Sequence, residues 1–229
     1  MASGVFVTGT DTGIGKTWTS LGLIAAFQRR GERVVGMKPI AAGCEATAEG
    51  LRNDDAVHLQ QAGSVPVAYE TVNPYAFVPP VSPHVAAARA GVAIDLTRIV
   101  SVYGQLANQA DRVVVEGVGG WHAPLGEAIT VAELARALGL PVVMVVGLRL
   151  GCLNHALLTA RAIRDDGLEL AGWVANELSP EMEAAAQNIR YLRDHIDAPL
   201  LGIVPYMGSP QGKRIAANLD VDSLAAVEG

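Results

Sequence analysis

A glycine-rich segment near the N-terminus carries the groups that bind nucleotide phosphates. Residues 9–17 read GTDTGIGKT and follow the apolar run Val5–Val7. Glycines allow backbone N–H groups to turn inward around phosphate oxygens, and a helix that starts there adds the positive end of its dipole. Lys16 can reach the β- and γ-phosphates, while the Thr17 hydroxyl can bind Mg²⁺. Gly9 and Gly15 are separated by five residues instead of the usual four, which predicts a one-residue variant of the phosphate-binding loop.

Charged residues at the ends of two further apolar runs could complete such a site. Glu116 directly follows Val113–Val115 and precedes a glycine-rich turn. A carboxylate at the end of a buried strand beside a phosphate loop is where a Mg²⁺ ligand is expected, although a solvated loop acid has the same local sequence. Lys38 ends another predicted strand and is predicted to point toward the phosphates. An exposed lysine at a strand end is the alternative.

Asp54 and Asp55 are adjacent acids that follow the loop at 43–53. One of the two is predicted to cap a helix beginning at Ala56, because an aspartate at that position accepts hydrogen bonds from the first helical N–H groups. The other carboxylate is then free to bind the metal.

Apolar runs that alternate with helical patterns predict an α/β fold. The runs are apolar on consecutive residues, as in parallel strands that are covered on both faces. The predicted strands are 5–7, 33–37, 113–115, 141–146, 170–174 and 200–204, and the predicted helices are 17–30, 94–110, 129–138, 153–166 and 181–195. We therefore expect residues 1–229 to form a single P-loop NTPase-like domain, with a mostly parallel sheet and helices on both faces. The loop-rich stretch 41–83 is expected to be functional at the carboxyl ends of the strands.

Composition excludes several other classes of protein. Half of the 229 residues are hydrophobic and 17% are charged, unlike a disordered chain, and the net charge of −6 argues against a protein built to bind nucleic acid. No apolar run approaches the ~18–20 residues that span a membrane, and no signal peptide is visible. Cys44 and Cys152 lie far apart. We expect a cytoplasmic protein with two reduced thiols and no zinc site.

Taken together, these motifs resemble the dethiobiotin synthetase family. The resemblance covers most of the chain and thins after about Pro205. It is carried by residues 8–12, 15–17, 38–39, 49–53, 55, 71–75, 82–84, 115–117, 119–121, 151–156, 170–176 and 199–202. The loop variant combined with the GCLNHA segment at 151–156 is more specific than the phosphate loop alone.

The resemblance implies an ATP- and Mg²⁺-dependent ring closure of 7,8-diaminononanoate with CO₂. The product is dethiobiotin, formed through a carbamate and a carbamic–phosphoric anhydride, with ADP and phosphate released. The implied catalytic residues are Thr12, Lys16 and Lys38, and the implied metal ligands are Thr17, Asp55 and Glu116. The implied nucleotide-binding residues are Gly13, Ile14, Gly15, Lys16, Thr17, Trp18, Asp55, Glu116, Gly117, Val118, Gly119, Asn176, Glu177, Pro205, Tyr206 and Met207. The implied substrate-binding residues are Thr12, Lys38, Ala42, Gly151, Cys152 and Asn154.

Two positions depart from the family pattern. Ala42 stands where the family often has a hydroxyl residue, so a substrate hydrogen bond of order 1 kcal/mol is expected to be missing or supplied by water. Gly13 stands where some members carry Glu, and no acidic role is assigned to it.

The family also implies a homodimer in which residues 151–154 of one chain complete the substrate site of the other. Two alternative functions share part of the pattern. Regulatory or partitioning ATPases with a related loop carry a second lysine near its start, but no lysine precedes Lys16 here. Amide-forming synthetases that act on larger acids add a glutaminase domain, for which 229 residues leave no room.

Overall fold

Strands and helices alternate through residues 3–180 and 182–225, which are the residues that the computed structural model describes. In chain order the strands are β1 (Ser3–Gly9), β2 (Val34–Met37), β3 (Ile40–Ala42), β4 (Glu45–Thr47), β5 (Gly50–Arg52), β6 (Tyr75–Phe77), β7 (Arg112–Glu116), β8 (Val142–Leu148), β9 (Leu170–Glu177) and β10 (Leu200–Val204). The helices are α1 (Lys16–Arg29), α2 (Asp54–Ala62), α3 (Tyr69–Val72), α4 (Pro83–Arg89), α5 (Leu96–Ala107), α6 (Val131–Leu138), α7 (Cys152–Asp165), α8 (Ala185–His195), α9 (Gly212–Ala216) and α10 (Asp222–Ala225).

The central sheet confirms the predicted parallel architecture. Its strand order is β10-β9-β8-β1-β7-β2, and every neighbouring pair is parallel. All six strands predicted from apolar runs are in this sheet. Alternate residues of β1 enter separate hydrophobic layers: Phe6 packs in the layer that contains α5 and α6, whereas Val5 and Val7 pack in the layer that contains α1. Because both faces are covered, the strands are apolar on consecutive residues.

Several helix boundaries differ from the predicted ones. Asp95 caps α5 by accepting a hydrogen bond from the Thr97 N–H, so this helix begins two residues after the predicted start. Helix α8 begins at Ala185 because Ala184 adopts a left-handed conformation (φ 60°) that ends the helical path on its N-terminal side. The predicted start of α8 at Glu181 lies outside the described residues.

The loop-rich stretch at 41–83 contains short elements. Strands β3 and β6 form a parallel pair, and β4 and β5 form an antiparallel hairpin. The prediction that Asp54 or Asp55 caps the next helix is wrong. Asn53 has extended backbone and its side chain accepts the hydrogen bond from the Ala56 N–H at 3.3 Å. Both acids therefore lie in the first turn of α2, where the positive end of the helix dipole favours negative charge.

Two sequence-based exclusions can be compared with the fold. None of the helices within 3–180 and 182–225 combines the length and the hydropathy needed to cross a lipid bilayer. Cys44 and Cys152 are buried and not joined to each other, as expected for reduced thiols.

Candidate active site

The phosphate loop connects the end of β1 to the start of α1. Its glycines are required by the geometry: Gly15 has a φ of +91°, and a Cβ atom there would lie 2.1 Å from Asn176 Nδ2. The Thr10 N–H donates to the Val145 carbonyl at 3.1 Å, which fixes the loop against β8. The Lys16 ammonium donates to the Asp11 carbonyl at 2.7 Å. The loop therefore has the strand–turn–helix setting that the sequence predicted.

An acidic residue inside the loop is tied to the neighbouring strand. Asp11 Oδ1 accepts a hydrogen bond from the Thr12 N–H at 2.7 Å, and its Oδ2 forms an ion pair with Arg149, which follows β8. The Thr12 N–H and the Arg149 guanidinium hold the pKa of the Asp11 carboxyl below its usual value. Arg149 was not among the predicted site residues, because nothing local to it indicates a contact with a loop 138 residues away.

Sheet topology brings Lys38 and Glu116 together beside the loop. Strand β7 lies between β1 and β2, and the register pairs Met37 with Val115. The residues that follow these two, Lys38 and Glu116, therefore emerge side by side at the carboxyl edge of the sheet.

A hydroxyl, two carboxylates and an ammonium meet at this edge. The Thr17 hydroxyl donates to Glu116 Oε1 at 2.9 Å, and the Lys38 ammonium donates to the same oxygen at 2.5 Å. Lys38 also contacts Asp55 Oδ2 at 3.1 Å. The other carboxylate oxygen of Glu116 is buried and has no hydrogen-bond partner among the described residues. The three predicted metal ligands thus lie in one cluster with Lys38 at its centre.

The charges of the two lysines depend on their surroundings. Burial, together with the nearby Lys38 charge, lowers the pKa of Lys16 to about 8. Burial also acts to lower the pKa of Lys38, but the carboxylates of Glu116 and Asp55 outweigh it and raise that pKa above its usual value. For Asp55, burial raises the pKa, yet the Lys38 ammonium and the Thr17 hydroxyl bring it below its usual value.

The cluster fits Mg²⁺ better than a metal held wholly by protein. Mg²⁺ is usually bound by one or two carboxylates, with phosphate oxygens and water supplying the other positions. Thr17, Asp55 and Glu116 offer such a set, and the unpartnered Glu116 oxygen provides a free ligand atom. Residues 3–180 and 182–225 contain no group of three or more His, Cys, Asp or Glu side chains arranged to hold a metal ion.

A cavity of about 1010 Å³ extends from this cluster. Sixteen of the predicted site residues line it: Thr12, Gly13, Gly15, Lys16, Thr17, Trp18, Lys38, Ala42, Asp55, Glu116, Val118, Gly119, Asn176, Glu177, Tyr206 and Met207. Its volume lies at the upper end of the range for small-molecule sites.

At one side of the cavity, Asn176, the last residue but one of β9, lies beneath the phosphate loop. Its Nδ2 donates to the Ile14 carbonyl at 2.9 Å, while its Oδ1 is buried without a hydrogen-bond partner among the described residues. Glu177 accepts a hydrogen bond from the Tyr206 N–H at 3.3 Å. A buried acceptor beside an apolar wall suits a flat base that carries an amino group.

Known proteins share both the sequence and the fold of this chain. A family model described as an AAA domain matches residues 3–213. The ATP-dependent dethiobiotin synthetase BioD of Xanthomonas oryzae pv. oryzae (strain PXO99A) is 51% identical over 94% of this chain and 96% of its own length. The enzyme of the same name from Aromatoleum aromaticum is 50% identical over 93% of this chain and 95% of its own length. The chain belongs to the dethiobiotin synthetase family. It is accordingly an ATP-dependent ligase with a role in biotin biosynthesis.

Solved structures confirm the fold of this dethiobiotin synthetase family member. The MinD cell division protein of Aquifex aeolicus superposes with a TM-score of 0.60, covering 99% of this chain and 97% of that one, at 13% identity. The septum site-determining protein MinD of Pyrococcus horikoshii, complexed with Mg-ADP, gives a TM-score of 0.59 over 100% of this chain and 99% of that one, at 15% identity. At these identities the likeness shows the P-loop NTPase-like fold alone.

Some predicted site residues lie away from the cavity wall. Ile14 is buried beneath the loop and contributes its carbonyl to Asn176, and the Gly117 N–H donates to the Val7 carbonyl at 2.9 Å. Pro205 precedes two lining residues without lining the cavity itself. Gly151, Cys152 and Asn154 lie at the start of α7 and do not line the cavity of their own chain.

The cavity also has walls that the predicted site did not include: Ala41, Asn53, Asp54, His58, Pro80, Val81, Ser82, Pro83, Gly120, Ala123, Pro124, Leu178 and Pro210. Most of them belong to the stretch 41–83, whose length and proline content had indicated a functional loop. The sequence signal therefore existed for the region, but it did not distinguish individual residues.

Proposed function

We propose that this chain converts 7,8-diaminononanoate, CO₂ and ATP to dethiobiotin, ADP and phosphate. An amine of the substrate adds to CO₂ and loses a proton, forming a carbamate. The carbamate oxygen takes the γ-phosphoryl group of ATP to give a carbamic–phosphoric anhydride. The second amine then attacks the carbamoyl carbon, phosphate leaves, and the cyclic urea closes. The observation that carries the proposal is that the phosphate loop, Lys38 and a group of apolar residues around Ala42 line one cavity.

Lys16 and Lys38 supply the positive charge that phosphoryl transfer to a carbamate requires. Both partners of that step are anions, and preorganised cations in a water-poor site stabilise the charge that develops between them. Both lysines are buried and line the cavity. Thr12 is exposed on the loop, and its hydroxyl would hydrogen-bond the carbamate or the diamine.

Thr17, Asp55 and Glu116 would hold Mg²⁺, which neutralises phosphate charge when bound. Gly13, Gly15, Trp18, Val118 and Gly119 line the cavity and would contact the nucleotide. Asn176 Oδ1 would accept a hydrogen bond from the amino group of adenine. Its lack of any other partner among the described residues supports that role. The segment 205–207 and Glu177 would form the remaining wall of the base site.

Part of the cavity has apolar walls, formed by Ala42, Pro80, Val81 and Ala123. We assign this part to the diamino acid, because an apolar surface suits its methylene chain. Since Ala42 has no hydroxyl, the substrate amine there is proposed to be held by water or by the carbamate contacts alone.

We also propose a homodimer in which Gly151, Cys152 and Asn154 bind the substrate carboxylate in the partner's site. Three observations support this proposal. These residues do not line the cavity of their own chain. Asn154 is exposed near the N-terminus of α7, where helix geometry favours an anion. Leu150 is fully exposed and Leu158 is 60% exposed on the same segment, as expected of apolar residues that another subunit covers.

Phosphate release tests the proposed reaction. The purified chain with ATP and Mg²⁺ should release phosphate only when 7,8-diaminononanoate and bicarbonate are both present, and dethiobiotin should appear in equal amount by mass spectrometry. Release at the same rate without the diamine would overturn the proposal and favour a stand-alone ATPase.

A further inference from the structure

The ammonium of Lys38 occupies the centre of the proposed metal-ligand set. It lies 2.5 Å from Glu116 Oε1 and 3.1 Å from Asp55 Oδ2, and the Thr17 hydroxyl donates to the same Glu116 oxygen. The Lys38 side chain is 6% exposed and that of Glu116 is 0% exposed. Lys38 is thus the counter-ion of both Glu116 and Asp55, and its charge offsets the repulsion between the two carboxylates at this edge of the sheet.

A metal ion at the same oxygens would compete directly with that ammonium. Mg²⁺ binds carboxylate oxygens at about 2.0–2.1 Å, well inside the distance at which Lys38 now contacts them. Two cations on one buried carboxylate repel each other strongly, because a poorly solvated site screens charge weakly, and this applies also to a metal on the unpartnered Glu116 oxygen. Lys38 must therefore leave Glu116 when the metal binds this carboxylate.

The charges in the site indicate when the replacement of the Lys38 ammonium by a metal ion is favourable. The charges of Lys16 and Lys38 balance those of the nearby carboxylates of Asp55 and Glu116, and two further acids, Asp54 and Glu177, line the cavity. Mg²⁺ alone would add two positive charges directly beside the Lys38 ammonium. Mg²⁺ that arrives with a triphosphate brings an anion, and Lys38 lines the cavity that this anion would enter.

We propose that Lys38 holds the metal ligands until nucleotide binds and then moves to the γ-phosphate as Mg²⁺ takes its place on Glu116 and Asp55. The residue that stabilises phosphoryl transfer thereby also sets metal affinity. Free divalent metal binds weakly, and metal and nucleotide strengthen each other's binding by the same factor. This inference rests on the proposed function, because it takes Thr17, Asp55 and Glu116 as the metal ligands.

Metal affinity without nucleotide provides the first test, with Mn²⁺ as the probe and its free concentration read by electron paramagnetic resonance. Lys38→Met removes the competing cation, so Mn²⁺ should bind at least tenfold more tightly than to the parent. Lys38→Arg keeps a cation and should remain close to the parent. Lys213→Met, at an exposed lysine away from the cavity wall, is the matched control. Unchanged or weaker Mn²⁺ binding by Lys38→Met would overturn the inference.

The second test reads the lysine itself in the unmodified chain, and conservative variants serve only to assign the signals. The sequence contains three lysines, Lys16, Lys38 and Lys213, so lysine-selective ¹³C labelling gives three ε-methylene signals. Lys38→Arg and Lys213→Arg assign them. Mg²⁺ with a non-hydrolysable ATP analogue should shift the Lys38 signal, whereas Mg²⁺ alone at the same concentration should leave it in place. A Lys38 signal that stays unchanged while the Lys16 signal shifts would show that no exchange occurs.

Glu116→Gln separates failure of the inference from failure of the proposed function. If Glu116 is a metal ligand, this variant binds Mn²⁺ more weakly in the presence of the analogue. Unchanged affinity in Glu116→Gln would remove the proposed metal site itself. Weakened affinity in Glu116→Gln, together with unchanged affinity in Lys38→Met, would leave the metal site intact and reject only the counter-ion role of Lys38.

Discussion

The two glycines at the tip of the phosphate loop have different physical reasons for being glycine. Both adopt positive φ, +71° at Gly13 and +91° at Gly15. A Cβ at Gly13 would meet nothing within 4 Å, whereas one at Gly15 would collide with the Asn176 side chain. Gly13 thus needs to be glycine for its backbone conformation, and Gly15 needs it also for the close approach of Asn176.

Paired alanine substitutions should separate these effects. Gly13→Ala is expected to cost about 1–2 kcal/mol of unfolding free energy from left-handed backbone strain, and to weaken ATP binding less than Gly15→Ala does. Gly15→Ala should cost more and weaken ATP binding at least tenfold, because Asn176 must move away from the Ile14 carbonyl. Urea denaturation and calorimetric titration measure both quantities. Equal losses of affinity in the two variants would contradict the role assigned to the Asn176 contact.

The lowered pKa of Lys16 predicts that nucleotide binding is coupled to the uptake of protons. Its pKa is lowered to about 8, so at pH 8.5 much of it is neutral in the free protein. A bound triphosphate favours the charged form and raises the pKa, so binding at pH 8.5 should take up protons, and affinity should fall as pH rises above 8. At pH 7 most of Lys16 is already charged, so proton uptake should be much smaller than at pH 8.5.

Calorimetric titration with a non-hydrolysable ATP analogue, in two buffers of different ionisation enthalpy, measures that uptake. Lys213→Met should behave like the parent. Binding heats that are independent of the buffer at pH 8.5 would show that Lys16 stays charged in the free protein.

At the scale of elements, α2 positions Asp55 and depends on its cap. Asn53 directly follows β5, and its side chain caps α2 by accepting a hydrogen bond from the Ala56 N–H. Its own backbone N–H donates to the Tyr69 hydroxyl at 2.8 Å. The direction of α2, and with it the position of Asp55 relative to Lys38, therefore follows from a side chain outside the charged cluster.

Two cap deletions test this arrangement. Asn53→Ala and Asp95→Ala each remove a helix N-cap and should each lower the unfolding free energy by about 1 kcal/mol. Only Asn53→Ala should also raise the Mg²⁺ concentration needed for half-maximal activity, because α5 carries no residue that lines the cavity. Thermal unfolding and a Mg²⁺ titration of phosphate release provide the two measurements. An equal Mg²⁺ requirement in both variants would show that Asp55 does not depend on the α2 cap.

At the scale of the whole molecule, the proposed dimer predicts that two inactive variants restore each other. Lys16→Ala damages the phosphate site, and Asn154→Ala damages the proposed carboxylate site. If these residues serve one site from different chains, each heterodimer has one intact site and one doubly damaged site. Random pairing makes about half of the dimers heterodimers, so about a quarter of parental activity should return.

The mixing experiment needs each variant alone to be dimeric and nearly inactive at low diamine concentration. Heterodimer formation is followed with one tagged chain. Heterodimers without recovered activity would reject the shared site, because every site would then hold a damaged residue.

Local sequence determined the six strands of the central sheet, the phosphate loop and the position of each charged residue along the chain, but not the short strands β3–β6. Consecutive apolar residues such as Val113–Val115 report burial on both faces, and the spacing of Gly15, Lys16 and Thr17 reports a loop that leads into a helix. These properties depend on neighbours in the chain, so the order of residues is enough to predict them. The resemblance to the dethiobiotin synthetase family rested on the same local motifs.

The contacts of the site were decided by the tertiary structure. Strand order places β7 between β1 and β2, which brings Lys38 to Glu116 across 78 residues. It also places β8 beside β1, which brings Arg149 to Asp11 across 138 residues. Asn53 caps α2 in place of either aspartate, because backbone conformation at 53 fixed where the helix begins. Which charged side chains pair with each other depends on which of them lie in the same buried space, and that space exists only after the sheet has formed. The sequence therefore determined which groups are available, whereas the fold determined that Lys38 rests on the proposed metal ligands.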